Sequence, residues 1–133
     1  MDQPSIDDLL LQWEGVYKKG LLTFWVLLLL RDRPMYALEI GQELGEVSHD
    51  TMSVDERSLY RALRRFEWAG FVSSEWEPSD IGPRRRYYSL TSLGDRLLRR
   101  FTQRNILLFM EPDMVRRLTP LMEQTPDDEQ APA

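Results

Sequence analysis

Seven arginines stand close together in one stretch, SVDERSLYRALRRFEWAGFVSSEWEPSDIGPRRRYYSL, residues 53–90. Arg57, Arg61, Arg64 and Arg65 recur at three- and four-residue spacing, and Arg84, Arg85 and Arg86 are consecutive. A guanidinium is a planar fork that keeps its charge. It makes paired hydrogen bonds to phosphate oxygens or to the O6/N7 edge of guanine. On a helix, at roughly 100° per residue, Arg57, Arg61 and Arg64 fall within roughly 60° of one another, with Arg65 further round. Arg57 and Arg61, nearer the start, suit base edges. Arg64 and Arg65 suit backbone phosphates, and the hydroxyls of Ser58 and Tyr60 can donate to phosphate oxygens. The plainer alternative for any one of these arginines is a solvated face or an ion pair with Asp55, Glu56 or Glu67. If residues 84–86 are extended, Arg84 and Arg86 share one face and Arg85 takes the other. Only one or two of them should then reach DNA, in the minor groove or on phosphates.

The spacing predicts a helix from Asp55 to about Ala69. Ser53 or Asp55 can cap it, and Gly70 can stop it with positive φ. Leu59, Ala62, Leu63, Phe66 and Ala69 form its core side. The opposite face carries Arg57, Tyr60, Arg61, Arg64, Arg65 and Trp68. A hairpin follows, with strands Phe71–Trp76 and Arg85–Leu90 joined by a turn-rich tip, Ser79-Asp80-Ile81-Gly82-Pro83. Tyr87 and Tyr88 read as sheet and core residues. An arginine-faced helix followed at once by a hairpin with a basic edge is the layout of a winged helix-turn-helix.

The chain has 133 residues, is 42% hydrophobic and carries a net charge of −5. That length suits one domain with a modest core. Residues 1–56 carry −7, residues 57–100 carry +5 and residues 101–133 carry −3. The positive field is therefore local to the arginine stretch, and local potential governs binding more than the total. There is no cysteine, which removes disulfides and thiolate zinc sites and fits a reducing, cytoplasmic setting. No signal peptide is evident. Leu21–Leu30, ten residues, is short of the roughly 20 needed to span a bilayer, so no membrane association is expected.

Before the arginine stretch, Ser5 can cap a helix whose apolar positions are Ile6, Leu9, Leu10, Trp13, Val16 and Tyr17. A minimal winged helix does not need this segment, so packing on a partner subunit is its natural use. Folding back on its own domain is the alternative. Gly20 either breaks this helix or is carried through it into the apolar run 21–30, which Arg31-Asp32-Arg33-Pro34 ends. Met35–Leu44 reads as the next helix, with Leu38, Ile40 (or Gly41) and Leu44 inward. Tyr36, near its start, is placed either to touch a phosphate or to pack half-buried. The connection 45–52 holds the only histidine, His49, read as solvated. After the hairpin, Thr91 and Ser92 open a helix reaching about Met110, with Ser92 and Asp95 at capping-box spacing. Its stripe is Leu93, Leu97, Leu98, Phe101, Leu108 and Phe109. Pro112 breaks it, and Asp113–Leu121 reads as a last short helix. Residues 1–4 read as loose, and the acidic tail 124–133 as disordered.

The division expected is thus 1–20 dimer-supporting helix, 21–91 DNA-binding domain, 92–123 dimerisation helix with a short following helix, and 124–133 tail. The fold class expected is mostly α with a small β-hairpin (α+β). Nothing resembles an active site: there is no GxSxG, glycine-rich phosphate loop or HExxH. No catalytic residue, metal ligand or cofactor is assigned, and the chain reads as no enzyme. Trp13, Trp25, Phe101 and Phe109 either line a site for an aromatic ligand or, as stripes at helical spacing usually do, form core. A protein-interaction module that keeps the shape without DNA is a third reading, which the four-arginine face speaks against and the acidic totals leave open.

Three segments resemble motifs of the PadR family of transcriptional regulators. They are Ser58-Leu59-Tyr60, then Phe66-Glu67-Trp68-Ala69-Gly70-Phe71-Val72, then Arg86-Tyr87-Tyr88-Ser89-Leu90-Thr91-Ser92-Leu93-Gly94. Together the likeness covers roughly residues 21–100. It implies a homodimer whose C-terminal helix packs on the partner, often with an N-terminal helix. Two recognition helices then face successive major grooves of double-stranded DNA at a palindrome-like site. Family members usually repress, and some are released by small phenolic or drug-like ligands. On this chain the implied dimer elements are Leu93–Met110 and Ile6–Tyr17, with Ile6, Leu9, Leu10, Trp13, Leu93, Leu97, Phe101 and Leu108 at the interface. The family's Gly-Tyr-Glu-Ile is here Ala37-Leu38-Glu39-Ile40, which removes one phosphate contact and leaves Tyr36 as the local candidate. The short C-terminal part is similar to the compact branch of the family. The run IDDLLLQWEGVYKKGLLTFW is similar to the cyanobacterial period-extender group, which is associated with the circadian clock through a clock-gene promoter.

Overall fold

The structure, a computed structural model, describes residues 3–78 and 82–123. The expectations for residues 1–2, for the tip residues Ser79, Asp80 and Ile81, and for the tail 124–133 lie outside them. The chain divides into two units, residues 1–98 and 99–133.

Helix α1 runs unbroken from Ile6 to Asp32, so Gly20 is carried through rather than breaking it. The Ser5 hydroxyl accepts the Asp8 N–H at 3.1 Å and caps its start. The two halves of α1 differ. Val26, Leu27, Leu29 and Leu30 are buried, while Ile6, Trp13 and Val16 are 73%, 74% and 76% exposed. The N-terminal half therefore does not fold back onto its own domain.

Met35–Tyr36 is a short strand, β1, and helix α2 spans only Ala37–Val47. This corrects the expected helix start at Met35. The reason is non-local: Met35 and Tyr36 pair antiparallel with Tyr88 and Tyr87. Ile40 and Leu44 are buried, but Leu38 is exposed, against the expectation that it faced inward. The turn after α2 is held by the buried Ser48 hydroxyl, which accepts the Met52 N–H at 3.0 Å.

Helix α3 is Glu56–Ala69. Asp55 is its cap, accepting the Ser58 N–H at 2.9 Å. Gly70 closes it at φ 92°, a left-handed conformation that glycine takes without a Cβ penalty. Leu59, Ala62, Leu63 and Phe66 are buried as the spacing requires, while Ala69 is exposed, a correction at the last turn. The wing is β2 (Val72–Glu77) and β3 (Arg85–Leu90), in register from Val72 opposite Leu90 to Glu77 opposite Arg85. With β1 it makes a three-stranded antiparallel sheet of order β1-β3-β2. Tyr88 on the central strand is almost fully buried.

Helix α4, Ser92–Asn105, ends earlier than the expected Met110. The Thr91 hydroxyl accepts the Gly94 N–H at 3.1 Å and donates to the Gly70 carbonyl at 2.8 Å, tying the start of α4 to the end of α3. Within the second unit, a 3₁₀ turn, Leu107–Met110, carries Leu108 and Phe109, so these two do not continue the α-helical stripe. Helix α5 follows, Pro112–Leu118, with proline in its first turn, where its missing N–H costs nothing.

Candidate nucleic-acid interface

α3 presents its polar face outward because its other face is core. Arg57, Tyr60, Arg61, Arg64, Arg65 and Trp68 are all exposed, and Ser58 is half-exposed. Among the described residues no carboxylate forms an ion pair with Arg57, Arg61, Arg64 or Arg65. The salt-bridge alternative is therefore not realised there. Glu67, one candidate partner, turns to the wing instead. Its carboxylate accepts from Arg86 at 3.0 Å and from the Ser74 hydroxyl, and Arg86 Nε donates to Ser74 Oγ at 2.8 Å.

The wing arginines alternate as a strand demands. Arg86 stands opposite Trp76 in the register, with its guanidinium carbon 5.6 Å from the Trp76 ring centre, and Arg84 lies 5.9 Å from the same ring. Arg85 is 4.5 Å from the ring centre of Tyr36, which itself meets Tyr87 edge-on at 5.5 Å. Tyr36 is thus half-buried packing for the sheet, with one face held by a wing arginine. Arg84 and Arg85 are exposed, whereas Arg86 is committed to Glu67 and Ser74. Between α3 and the wing lies an open groove of about 880 Å³, lined by Tyr60, Arg64, Trp68, Trp76 and the three wing arginines among others. Trp68, at 93% exposure, stands at its edge.

Sequence reasoning missed Trp76, Ser74 and the role of Glu67. Strand alternation puts Ser74 and Trp76 on one face, but matching them to Tyr88 and Arg86 needs the hairpin register, which the tip length leaves open. Trp25 packs against the core, edge-on to Phe24, so it joins the core rather than a ligand site. His49 is exposed. No group of three or more His, Asp or Glu side chains among the described residues is placed to hold a metal. No helix among them is long and apolar enough to cross a membrane.

The model of the PadR-like transcriptional regulator family matches residues 26–100, more than half of the chain. This chain belongs to the PadR-like family. Its members are transcriptional regulators rather than enzymes. A PadR-like transcription factor from Bacteroides fragilis is 35% identical, with a TM-score of 0.58, over 69% of this chain and 86% of its own. A PadR family regulator from Eggerthella lenta is 26% identical, with a TM-score of 0.68, over 90% of this chain and 96% of its own. Bacillus subtilis PadR, solved in complex with operator DNA, shares the fold at 21% identity and a TM-score of 0.56, over 61% of this chain and 46% of its own. In this PadR-like chain, α2 and α3 form the helix-turn-helix and β2–β3 the wing.

Proposed function

We propose that this chain is a cytoplasmic, sequence-specific reader of double-stranded DNA that acts as a homodimeric transcriptional repressor. The observation that carries the reading is the exposed arginine face of α3, free of ion pairs among the described residues, beside the exposed Arg84 and Arg85 of the wing. A helix of this width fits the major groove, where Arg57 and Arg61 would meet base edges and Arg64, Arg65, Ser58 and Tyr60 the backbone. Tyr36 would serve by seating Arg85. Arg86 would serve by holding the wing in place.

The dimer reading rests on uncovered apolar surface. α1 leaves Ile6, Leu9, Leu10 and Trp13 exposed, and α4 leaves Leu93 and Leu97 exposed. Exposed apolar side chains repeated along a helix face mark an interaction surface, and a second copy supplies a self-complementary one. An aromatic effector, the alternative emphasis on the same scaffold, is favoured by Trp13 and Tyr17, which flank a small apolar hollow on α1 with Leu10. Quenching of tryptophan fluorescence by phenolic compounds tests it. Repression follows the habit of the family, and a role at a clock-gene promoter follows the likeness of residues 6–25 to the cyanobacterial period-extender group, Pex. A rise in the target transcript on deletion supports repression, and a fall contradicts it. A free-running rhythm unchanged by that deletion contradicts the clock role.

Selection of bound sequences from a random duplex library tests the proposal. Enrichment of two inverted half-sites about 10 bp apart, one helical turn, is expected. A pool that stays random after selection contradicts it.

A further inference from the structure

On α3 the exposed face is bordered by two different clefts. Tyr60, Arg64, Glu67 and Trp68 line the groove toward the wing. Ser58, Arg61 and Arg65 line a second cleft, of about 610 Å³, on the other flank. Its far wall is α1, through Gly15, Lys18, Lys19 and Leu22, and its floor is Met52, Ser53 and Val54. Four cations, Lys18, Lys19, Arg61 and Arg65, thus face one opening. Two carboxylates stand by it. Glu14, half-buried like Lys18, lies 3.7 Å from it, one turn back on the helix. Asp55 is taken up by the Ser58 N–H and hydroxyl. Neither closes the cleft, and Lys19 is exposed.

A helix lying in a major groove has a phosphate strand on each side. The wing covers one side only. We propose that Lys18 and Lys19 bind the phosphates on the other side, with Arg65, so that α1 is part of the DNA footprint as well as of the dimer. The inference rests on the DNA-binding reading above. The two lysines lie outside the stretch matched by the family model, residues 26–100. They are held in place because α1 is continuous through Gly20: the buried turn from Val26 onward anchors a rigid rod, and the lysines ride on it two turns upstream. A helix broken at Gly20 would leave them without a fixed position.

The test is a salt titration. Full-length protein binds a labelled, mixed-sequence 30-bp duplex at salt concentrations between about 50 and 200 mM, and the slope of log K against log salt counts phosphate contacts at about 0.9 each. Lys18→Ala/Lys19→Ala should lower that slope by about 2 per protomer. Arg116→Ala/Arg117→Ala removes the same charge from α5, where both arginines pair with Asp113, and should leave the slope in place. Arg64→Ala, on the α3 face, should lower it. Alanine favours helix, so the lysine variant keeps its fold. A lysine variant with the wild-type slope, while Arg64→Ala has a reduced one, overturns the lysine assignment alone. Equal losses in the lysine and α5 variants also overturn it, since total charge would explain both. Wild-type protein with no salt-dependent binding overturns the DNA reading and this inference together.

Discussion

The Arg86 guanidinium lies 3.0 Å from the Glu67 carboxylate, and this pair joins the wing to α3. Ser74 completes a triangle, accepting from Arg86 and donating to Glu67. All three side chains are half-buried, so their mutual hydrogen bonds are better screened from water than a surface pair. Arg86 counts as a basic residue of the wing in the sequence, yet in the fold its guanidinium is taken up in tying β3 to α3.

A double-mutant cycle on Glu67→Ala and Arg86→Ala measures that tie. Each single change should lower stability by about 1 kcal/mol, the range for a partly exposed charged hydrogen bond discounted for solvent. The coupling should be about 0.5 kcal/mol or more. Thermal unfolding of the four proteins gives the answer, and additive effects would mean that the pair is ornamental.

Gly94 has a mechanical reason to be glycine. A Cβ there would sit 2.1 Å from the Phe71 carbonyl oxygen and 2.6 Å from Leu90 Cδ1. Backbone cannot swing aside as a side-chain tip can. Gly94→Ala should cost about 3 kcal/mol, lowering Tm by roughly 10 °C. Gly15→Ala, with nothing within 4 Å of its Cβ and a helical backbone, should raise Tm slightly. Equal Tm values for the two variants would contradict the close packing of α4 on the loop after α3.

Acid stability should reflect the cap of α3. The Ser58 N–H and hydroxyl, with Arg61 adding a smaller attraction, hold the Asp55 carboxyl below its usual pKa. A depressed native pKa means that the cap stabilises the fold at and above the ordinary carboxylate range, and that this contribution disappears as pH falls through the native value. Wild type should therefore exceed Asp55→Ala in Tm at neutral pH, and the gap should narrow on acidification below the usual carboxylate range. A gap independent of pH in chemical or thermal unfolding would show that the carboxylate charge is not what caps the helix.

Leu97 is exposed on α4, one turn from the exposed Leu93. In a dimer seam it becomes buried, and a carboxylate there would be desolvated without a partner. Leu97→Asp should give a monomer by multi-angle light scattering, with the circular dichroism of a folded chain. A dimer of unchanged mass would move the interface off this face of α4.

What the residues alone reveal depends on the range of the forces involved. α3 is legible because its cap, its stop and its 3.6-residue pattern are all local: Asp55, Gly70 and the Leu59–Leu63–Phe66 stripe. The ends of β3 are legible for the same reason. β1 is not, because two residues make a strand only when Tyr87 and Tyr88 arrive from fifty positions away. Spacing alone places Leu38 inward. Ile40 and Leu44 suffice to fix the orientation of α2, and Leu38 is left outside. In the arginine site, residue type and spacing identify the exposed cations, but not which of them is tied up. Arg86 and Glu67 are 19 positions apart, and their contact depends on how far the wing folds back over α3.

The central claim is that α3 reads DNA sequence through its arginine face. Fluorescence anisotropy with DNA from the protein's own upstream region, against a scrambled competitor at two salt concentrations, tests it most directly. Tight, competitor-resistant binding is predicted, with Arg57→Ala costing about 1–3 kcal/mol and relaxing the preference over the competitor. Tight, competitor-resistant binding that Arg57→Ala leaves untouched, in both affinity and preference, would contradict it.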